Sequence, residues 1–374
     1  MNLNSNDEIV TSSDSEDEGK GGLYPYDPTK ADIDIRETPH SIFELMRKYD
    51  DGRLIIEPDF QRKLVWKPEQ KSRFIESVIL NFPLPPFYVN ETREGKYIIV
   101  DGLQRTTALH EFMNDEFRLE GLEALPHLNG KDFSNLKAMS GAYQTKIEDK
   151  KITLYVLRPS VPMAVVYDLF NRINTGGTKL ERQEVRNCIF LGKATKLLKE
   201  LSESEVFRKA IDNGISPERM KDREAVLRYL SFKLFNYKTD YQGDMSDFVE
   251  RAMRKINQMS DEEILELQKD FDRVMQLSYG FFGERNFRVP FPERTTRGRI
   301  NIAVLESVGY FFSQQTDAFL YPNQAAIIRN FDRLLKTPNY LDAVQQSTGD
   351  KKRVITRFDL AQKILGDVSH ADTN

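Results

Sequence analysis

One cysteine, one tryptophan and four histidines in 374 residues leave little material for several kinds of chemistry. A single thiol, Cys188, rules out an internal disulfide and any metal site built from several cysteines. The histidines are His40, His110, His127 and His370, and only His370 lies in the second half, close to the terminus. An HNH-type or other histidine–metal nuclease centre therefore has nothing to build from there. Ser-His and Cys-His hydrolases are disfavoured on the same ground. Cys188 stands beside Ile189 and Phe190 in a predicted helix, which suits a buried, inert thiol. No run approaches the roughly 18 apolar residues that span a bilayer. The opening MNLNSNDEIV has neither the basic start nor the apolar stretch of a secretory signal. The expectation is a cytoplasmic protein with no membrane partner. The phosphate-binding patterns G-x-x-x-x-G-K-[ST] and G-x-G-x-x-G are also missing. Strong net charge is missing as well: at -4, any contact with nucleic acid has to come from a local patch.

What is present is the composition of a soluble globular chain, 39% hydrophobic and 30% charged, with 24 Phe and 15 Tyr to fill cores. The length allows two domains. Acid is concentrated at the start, in Asp7, Glu8, Asp14, Glu16, Asp17 and Glu18, with Lys20 the one basic residue before Gly21. Residues 1–29 are too polar and too like-charged to offset the entropy of ordering, so they are expected to be disordered. They serve either as a solvated tail or as a partner-binding or autoinhibitory arm.

Residues 30–192 alternate between strand and helix patterns, and residues 193–374 read as helical throughout, so the expected class is α+β followed by an all-α domain. Strands are predicted at 31–36, 54–57, 87–90, 97–100 and 151–157. Helices are predicted from 38, from Pro68, over 104–113 and over 163–173. Thr178 and Glu181 form a T-x-x-E capping box for a further helix. The later helices include 224–235, 247–259, 261–277 and 300–312.

Three clusters, all in the first half, place arginine beside amide or hydroxyl side chains. The first is Asp59, Phe60, Gln61 and Arg62, with Trp66 close behind. The second runs from Asp101 through Gly102, Leu103, Gln104, Arg105 and Thr106 to Thr107. It joins a strand to a helix whose exposed N–H groups and positive dipole end favour anions. Arg105 adds a fork suited to phosphate oxygens, and Asp101 can hold a phosphate-bound metal or orient a water. The plainer reading is that Asp101 caps the helix and Arg105 is a surface ion pair. The third cluster is Asn171, Arg172, Asn174, Thr175, Gly176 and Gly177, either an anion nest or an ordinary glycine stop. In the helical half, residues 285–299 set Arg285, Arg288, Arg294, Arg297 and Arg299 against Glu293, with Phe287 and Phe291 interleaved. Such a loop can track a phosphate backbone or simply pair with neighbouring acids.

In order and spacing these clusters resemble the N-terminal domain family of GmrSD restriction enzymes. Its P-x-[FY]-Q-R…W segment is matched by Pro58, Phe60, Gln61, Arg62 and Trp66. Its D-G-Q-Q-R motif is matched by Asp101, Gly102, Gln104, Arg105, Thr106 and Leu109. Its F-x-R-[IL]-N-T-G-G-x-x-L segment is matched by Phe170, Arg172, Ile173, Asn174, Thr175, Gly176, Gly177 and Leu180. Leu103 stands where the family usually has the first Gln of D-G-Q-Q-R. The resemblance covers roughly residues 30–192 and implies a ParB/sulfiredoxin-like fold that binds and hydrolyses nucleoside triphosphates in anti-phage defence. Many members carry an HNH nuclease, for which this chain lacks the histidines.

On that resemblance Arg62, Arg105 and Arg172 would converge on the phosphates, and Asp101 would serve Mg2+ or the attacking water. Gln104 and Asn174 would position the substrate. Gln61, Gly102, Thr106, Gly176 and Gly177 would complete the nucleotide site. The implied partners are a nucleoside triphosphate, phage DNA through residues 285–299, and a separate nuclease or effector subunit. The rival reading is a non-catalytic module that holds nucleotide or DNA as a switch. Replacing Asp101 or Arg105 by alanine is expected to reduce turnover by orders of magnitude while leaving thermal stability nearly unchanged.

Overall fold

The computed structural model describes residues 34–56, 66–92, 94–139, 142–173, 181–289 and 298–368, and every structural statement concerns those residues. The acidic opening lies outside them. The chain divides into two compact units between Ile189 and Phe190. Among the described residues no helix is long and apolar enough to cross a membrane.

The first unit is built on a five-stranded sheet of order β1-β5-β3-β4-β2, with β1 at Ile35–Ser41, β2 at Leu54–Ile55, β3 at Phe87–Glu91, β4 at Tyr97–Asp101 and β5 at Lys151–Leu157. β5 runs parallel to β3 and antiparallel to β1; β4 runs antiparallel to β3 and parallel to β2. The alternation along β5 explains its place. Ile152, Leu154 and Val156 face one core together with Phe87, Val89 and Ile99 of the neighbouring strands. That face is covered by α1 (Ile42–Asp50), α2 (Pro68–Ile79), α3 (Leu103–Met113), α4 (Phe133–Ala138) and α5 (Tyr143–Glu148). The opposite face is smaller: Val100 and Leu157 pack there with Val165, Val166 and Phe170 of α6 (Met163–Ile173), and with Val185 and Cys188 of α7 (Arg182–Ile189). The α+β class expected from the alternating pattern is what the unit shows.

Local sequence accounts for most of these elements. In α2, Pro68 opens the helix and Phe74, Ile75, Val78 and Ile79 are all buried, as their spacing predicts. The helix expected from residue 38 is a correction. Residues 38–41 are still strand, paired with β5, and the helix starts at Ile42. The reason is an S-x-x-E capping box: Glu44 N–H donates to Ser41 Oγ at 3.1 Å and Ser41 N–H to Glu44 Oε2 at 2.7 Å. Pro39, which cannot donate to a ladder, is tolerated because β1 is an edge strand. Two helices, α4 and α5, fall in a stretch that the periodicity leaves unassigned. At six residues each they are too short to display a stripe. The chain before them is held by buried Glu76, whose carboxylate accepts from Ala124 N–H at 2.9 Å and Leu125 N–H at 2.8 Å.

The second unit contains α8 (Lys193–Glu203), α9 (Glu205–Ala210), α10 (Lys221–Leu234), α11 (Met245–Gln258) and α12 (Asp261–Phe282). They are followed by α13 (Ile302–Gln314), α14 (Asp317–Leu320), α15 (Gln324–Leu334), α16 (Pro338–Gln345) and α17 (Lys351–Leu365). Its described residues hold one isolated β-bridge, between Arg288 and Ile300. The core is aromatic, with Phe232 of α10 set against Phe248 of α11 and Phe358 of α17. Into it the fold buries three charges. Glu306 of α13, 0% exposed, accepts from Arg228 Nε at 2.6 Å and from the second guanidinium, Arg357, at 2.6 Å. Arg357 also donates to the Thr348 carbonyl at 2.5 Å.

This triad predicts a steep penalty for removing its centre. Glu306→Ala strands two buried guanidinium groups, and the loss in unfolding free energy is expected at about 3–5 kcal/mol. Urea denaturation measures it, and a loss below about 1 kcal/mol would show that the triad does not stabilise the unit.

Candidate functional site

The strand–turn–helix formed by β4, Gly102 and α3 organises the polar residues of the first unit. Gly102 has φ +104°, a conformation that L side chains rarely adopt. A Cβ there would also lie 2.4 Å from Cδ1 of Phe87. Glycine is thus required both by the backbone turn and by the aromatic ring behind it. No side chain caps α3 at Gly102. Asp101, at the strand end, keeps about a third of its side chain exposed.

Arg105, one turn into α3, is only 9% exposed, so it is not the surface ion pair of the plainer reading. Its guanidinium donates to Asp101 Oδ2 at 2.7 Å, to the Pro86 carbonyl at 3.0 Å and to the Pro85 carbonyl. The same group sits 4.3 Å over the Phe87 ring. Burial pushes its pKa down and the neighbouring carboxylate pulls it back up; arginine keeps its charge regardless. The neighbouring motif residues are also engaged. Gln104 Oε1 accepts the Trp66 backbone N–H at 3.0 Å, and the buried Thr106 hydroxyl donates to the Gly102 carbonyl at 2.9 Å. Leu103 is buried in the main core. Trp66 packs edge-on against Phe74, with ring centroids 5.5 Å apart, as a core-edge residue.

The structure therefore gathers Asp101, Gly102, Gln104, Arg105 and Thr106 around one turn and ties them to residues 85–87 and Trp66. Arg172 is exposed near the end of α6 and paired with Asp168 at 3.0 Å. Asp59, Phe60, Gln61, Arg62, Asn174, Thr175, Gly176, Gly177 and the Thr178 cap fall outside the described residues. So does any test of whether Arg62, Arg105 and Arg172 share one cleft. Among the described residues no group of three or more His, Cys, Asp or Glu could hold a metal ion. Asp101 supplies one carboxylate, which is sufficient when phosphates and waters complete the shell of Mg2+.

One set of buried polar groups was not anticipated from sequence. On α7, Gln183, Arg186 and Asn187 share a helix face at positions i, i+3 and i+4, and all three are buried. The signal was available as R-Q-E-V-R-N beside apolar Val185, Cys188 and Ile189: a helix with no wholly solvent-facing side. Cys188 is buried, as expected from its neighbours.

The arginine-rich loop of the second unit is partly committed elsewhere. Arg285 pairs with Asp332 at 2.6 Å and Arg288 with Asp212 at 3.1 Å. Phe287 is 0% exposed and cannot stack on a base, contrary to the interleaved-aromatic expectation. Its burial follows from the anchoring of the loop base, where Asn301 N–H donates to the Phe287 carbonyl at 2.8 Å. Residues 290–297, with Arg294 and Arg297, lie outside the described residues.

Comparison with known proteins gives one family: the GmrSD restriction endonuclease, N-terminal domain, whose profile matches residues 42–191. The match spans β2 to β5, α1 to α7 and the Asp101 turn, and leaves out β1. A search of curated proteins returns no match.

The dual demand on Gly102 yields a quantitative expectation. Gly102→Ala should cost about 1–2 kcal/mol for the left-handed backbone and about 1–3 kcal/mol more for the clash with Phe87. Combining it with Phe87→Leu relieves only the clash, so a double-mutant cycle in urea should show coupling of about 1 kcal/mol. Additivity within about 0.5 kcal/mol would mean that the ring does not constrain residue 102.

Proposed function

Residues 42–191 belong to the GmrSD restriction endonuclease N-terminal domain family, and from that premise we propose that the chain is the nucleoside-triphosphate-binding and hydrolysing sensor of a restriction-type anti-phage system. The first unit is read as ParB/sulfiredoxin-like. The observation that carries the reading is the Asp101–Gly102–α3 turn. A partly exposed carboxylate stands at the start of a helix without a side-chain cap, where the dipole favours a bound anion. Asp101 is the residue that would hold Mg2+ brought by the phosphates, and the ion when bound would offset phosphate charge. Arg62 and Arg172 are the arginines assigned to the phosphates. Gln61, Asn174, Gly176 and Gly177 complete the nucleotide contacts, and Gln104 accepts from the Trp66 backbone N–H. Arg105 acts by fixing Asp101 and Pro85–Pro86, which are already its hydrogen-bond partners. The protein would signal to a separate nuclease or effector subunit.

A second reading is favoured by that same saturation of Arg105. If Asp101 is wholly engaged as its counter-ion, the turn is a scaffold, and the domain holds nucleotide or DNA as a switch without cleaving it.

Phosphate release from the purified chain with each nucleoside triphosphate and Mg2+ separates the two. Asp101→Ala is expected to lower turnover by about 10²–10³-fold or more. Arg105→Ala should also lose turnover, but its burial now predicts a fall in melting temperature alongside. A parent chain without turnover, whose melting temperature rises with nucleotide, establishes the switch reading. A parent that neither cleaves nor binds removes both.

DNA contact through residues 285–299 is tested on Arg294, Arg297 and Arg299, while Arg285 and Arg288 pair with Asp332 and Asp212. Replacing those three by alanine should flatten the log–log salt dependence of DNA binding by about 0.9 per arginine. The loss should be equal for all sequences, because phosphate contacts carry no base information. An unchanged slope in gel-shift titrations would leave the loop without a role in DNA binding.

A further inference from the structure

Gln183 on α7 is 1% exposed, yet neither its amide oxygen nor its amide nitrogen has a hydrogen-bond partner. Folded interiors rarely leave both ends of one amide unpaired, so this one calls for an explanation. We propose that Gln183 reads the base edge of a nucleotide, an inference that rests on the nucleotide-binding reading above. The position supports it. The opposite side of α7 packs on the sheet: Val185 and Cys188 share a small core with Val100, the residue before Asp101. Gln183 is therefore carried by a helix that lies against the strand ending in Asp101.

The chemistry selects the ligand part. An amide side chain presents one donor and one acceptor side by side. Phosphate oxygens accept only, so they would satisfy the amide nitrogen and leave its oxygen unpaired; a metal ion would do the reverse. A nucleobase edge offers the complementary donor and acceptor together, which is how Gln and Asn read adenine in nucleic acids. Phosphate contact and base contact are thereby divided between the Asp101 turn and α7.

The test uses the full chain and Gln183→Met, an apolar replacement of nearly the same length, with Gln183→Glu as a second variant that removes the donor. Calorimetric titration with ATP, GTP, CTP and UTP, each with Mg2+, gives the base preference. Differential scanning calorimetry without nucleotide gives the stability. The parent is expected to prefer one base. Gln183→Met should weaken that nucleotide by about tenfold or more while the others change little, so that the preference is lost. Its unliganded melting temperature should be equal to or above the parent's, since an unpaired amide has been removed. Gln183→Glu should lose the same preference. A Met variant that keeps both affinity and preference overturns the proposal while the nucleotide reading stands. Lowered unliganded melting temperatures in both variants would assign the amide to the scaffold and overturn it equally. A parent chain that binds none of the four nucleotides overturns the functional reading first and this inference with it.

Discussion

A buried guanidinium is costly to leave short of acceptors, and Arg105 in the first unit meets three of them. The group is planar, with donors in fixed directions, so it can bond two adjacent carbonyls and a carboxylate at once in a way a lysine could not. Those acceptors come from different parts of the chain: Pro85 and Pro86 at the entry to β3, and Asp101 at the end of β4. β3 and β4 are antiparallel neighbours, with Tyr88 opposite Asp101 and a register shift between Tyr88 and Val89. Fixing residues 85 and 86 against Asp101 therefore fixes that irregular register at its open end. Phe87 lies beneath the guanidinium and also fills the space a side chain at residue 102 would need. Cation, ring and glycine form one unit of structure.

From there the constraint spreads along α3. Gln104 accepts from the backbone N–H of Trp66, so Trp66 is anchored to the same helix that Arg105 anchors to β4. Leu103 points the other way, into the main core. The hydrogen bonds of Gln104, Arg105 and Thr106 do not pass through residue 103. The departure from D-G-Q-Q-R therefore leaves this framework intact and adds apolar burial.

Sequence patterns carried the architecture well where one physical signal was strong. The α2 stripe, the alternation of β5 and the strand–glycine–helix turn at Asp101 all follow from spacing alone. They carried it poorly where two signals competed. At residues 38–41, apolar spacing that begins at Ile42 was extended backwards over a strand, although the Ser41–Glu44 box marks the true start. Short α4 and α5 depend on tertiary packing, which no window of residues displays. Side-chain roles were the least visible part. Arginine reads as a surface residue, so neither the burial of Arg105 nor that of Arg186 is deducible from type. The same bias made Arg285 and Arg288 look available when each is matched to an aspartate.

One buried charge network in each unit shows a different use of a carboxylate. In the helical unit, Arg228 and Arg357 enclose Glu306 completely; a carboxylate with no exposed surface can stabilise a core but cannot meet a ligand. In the sheet unit, Arg105 is equally buried but its carboxylate partner is not, for Asp101 keeps one side open at the head of α3. That network is closed around the guanidinium and leaves its carboxylate partly exposed. The unpaired amide of Gln183, on a helix packed against the strand that ends in Asp101, is a second polar group of this unit whose bonds the fold leaves unmade.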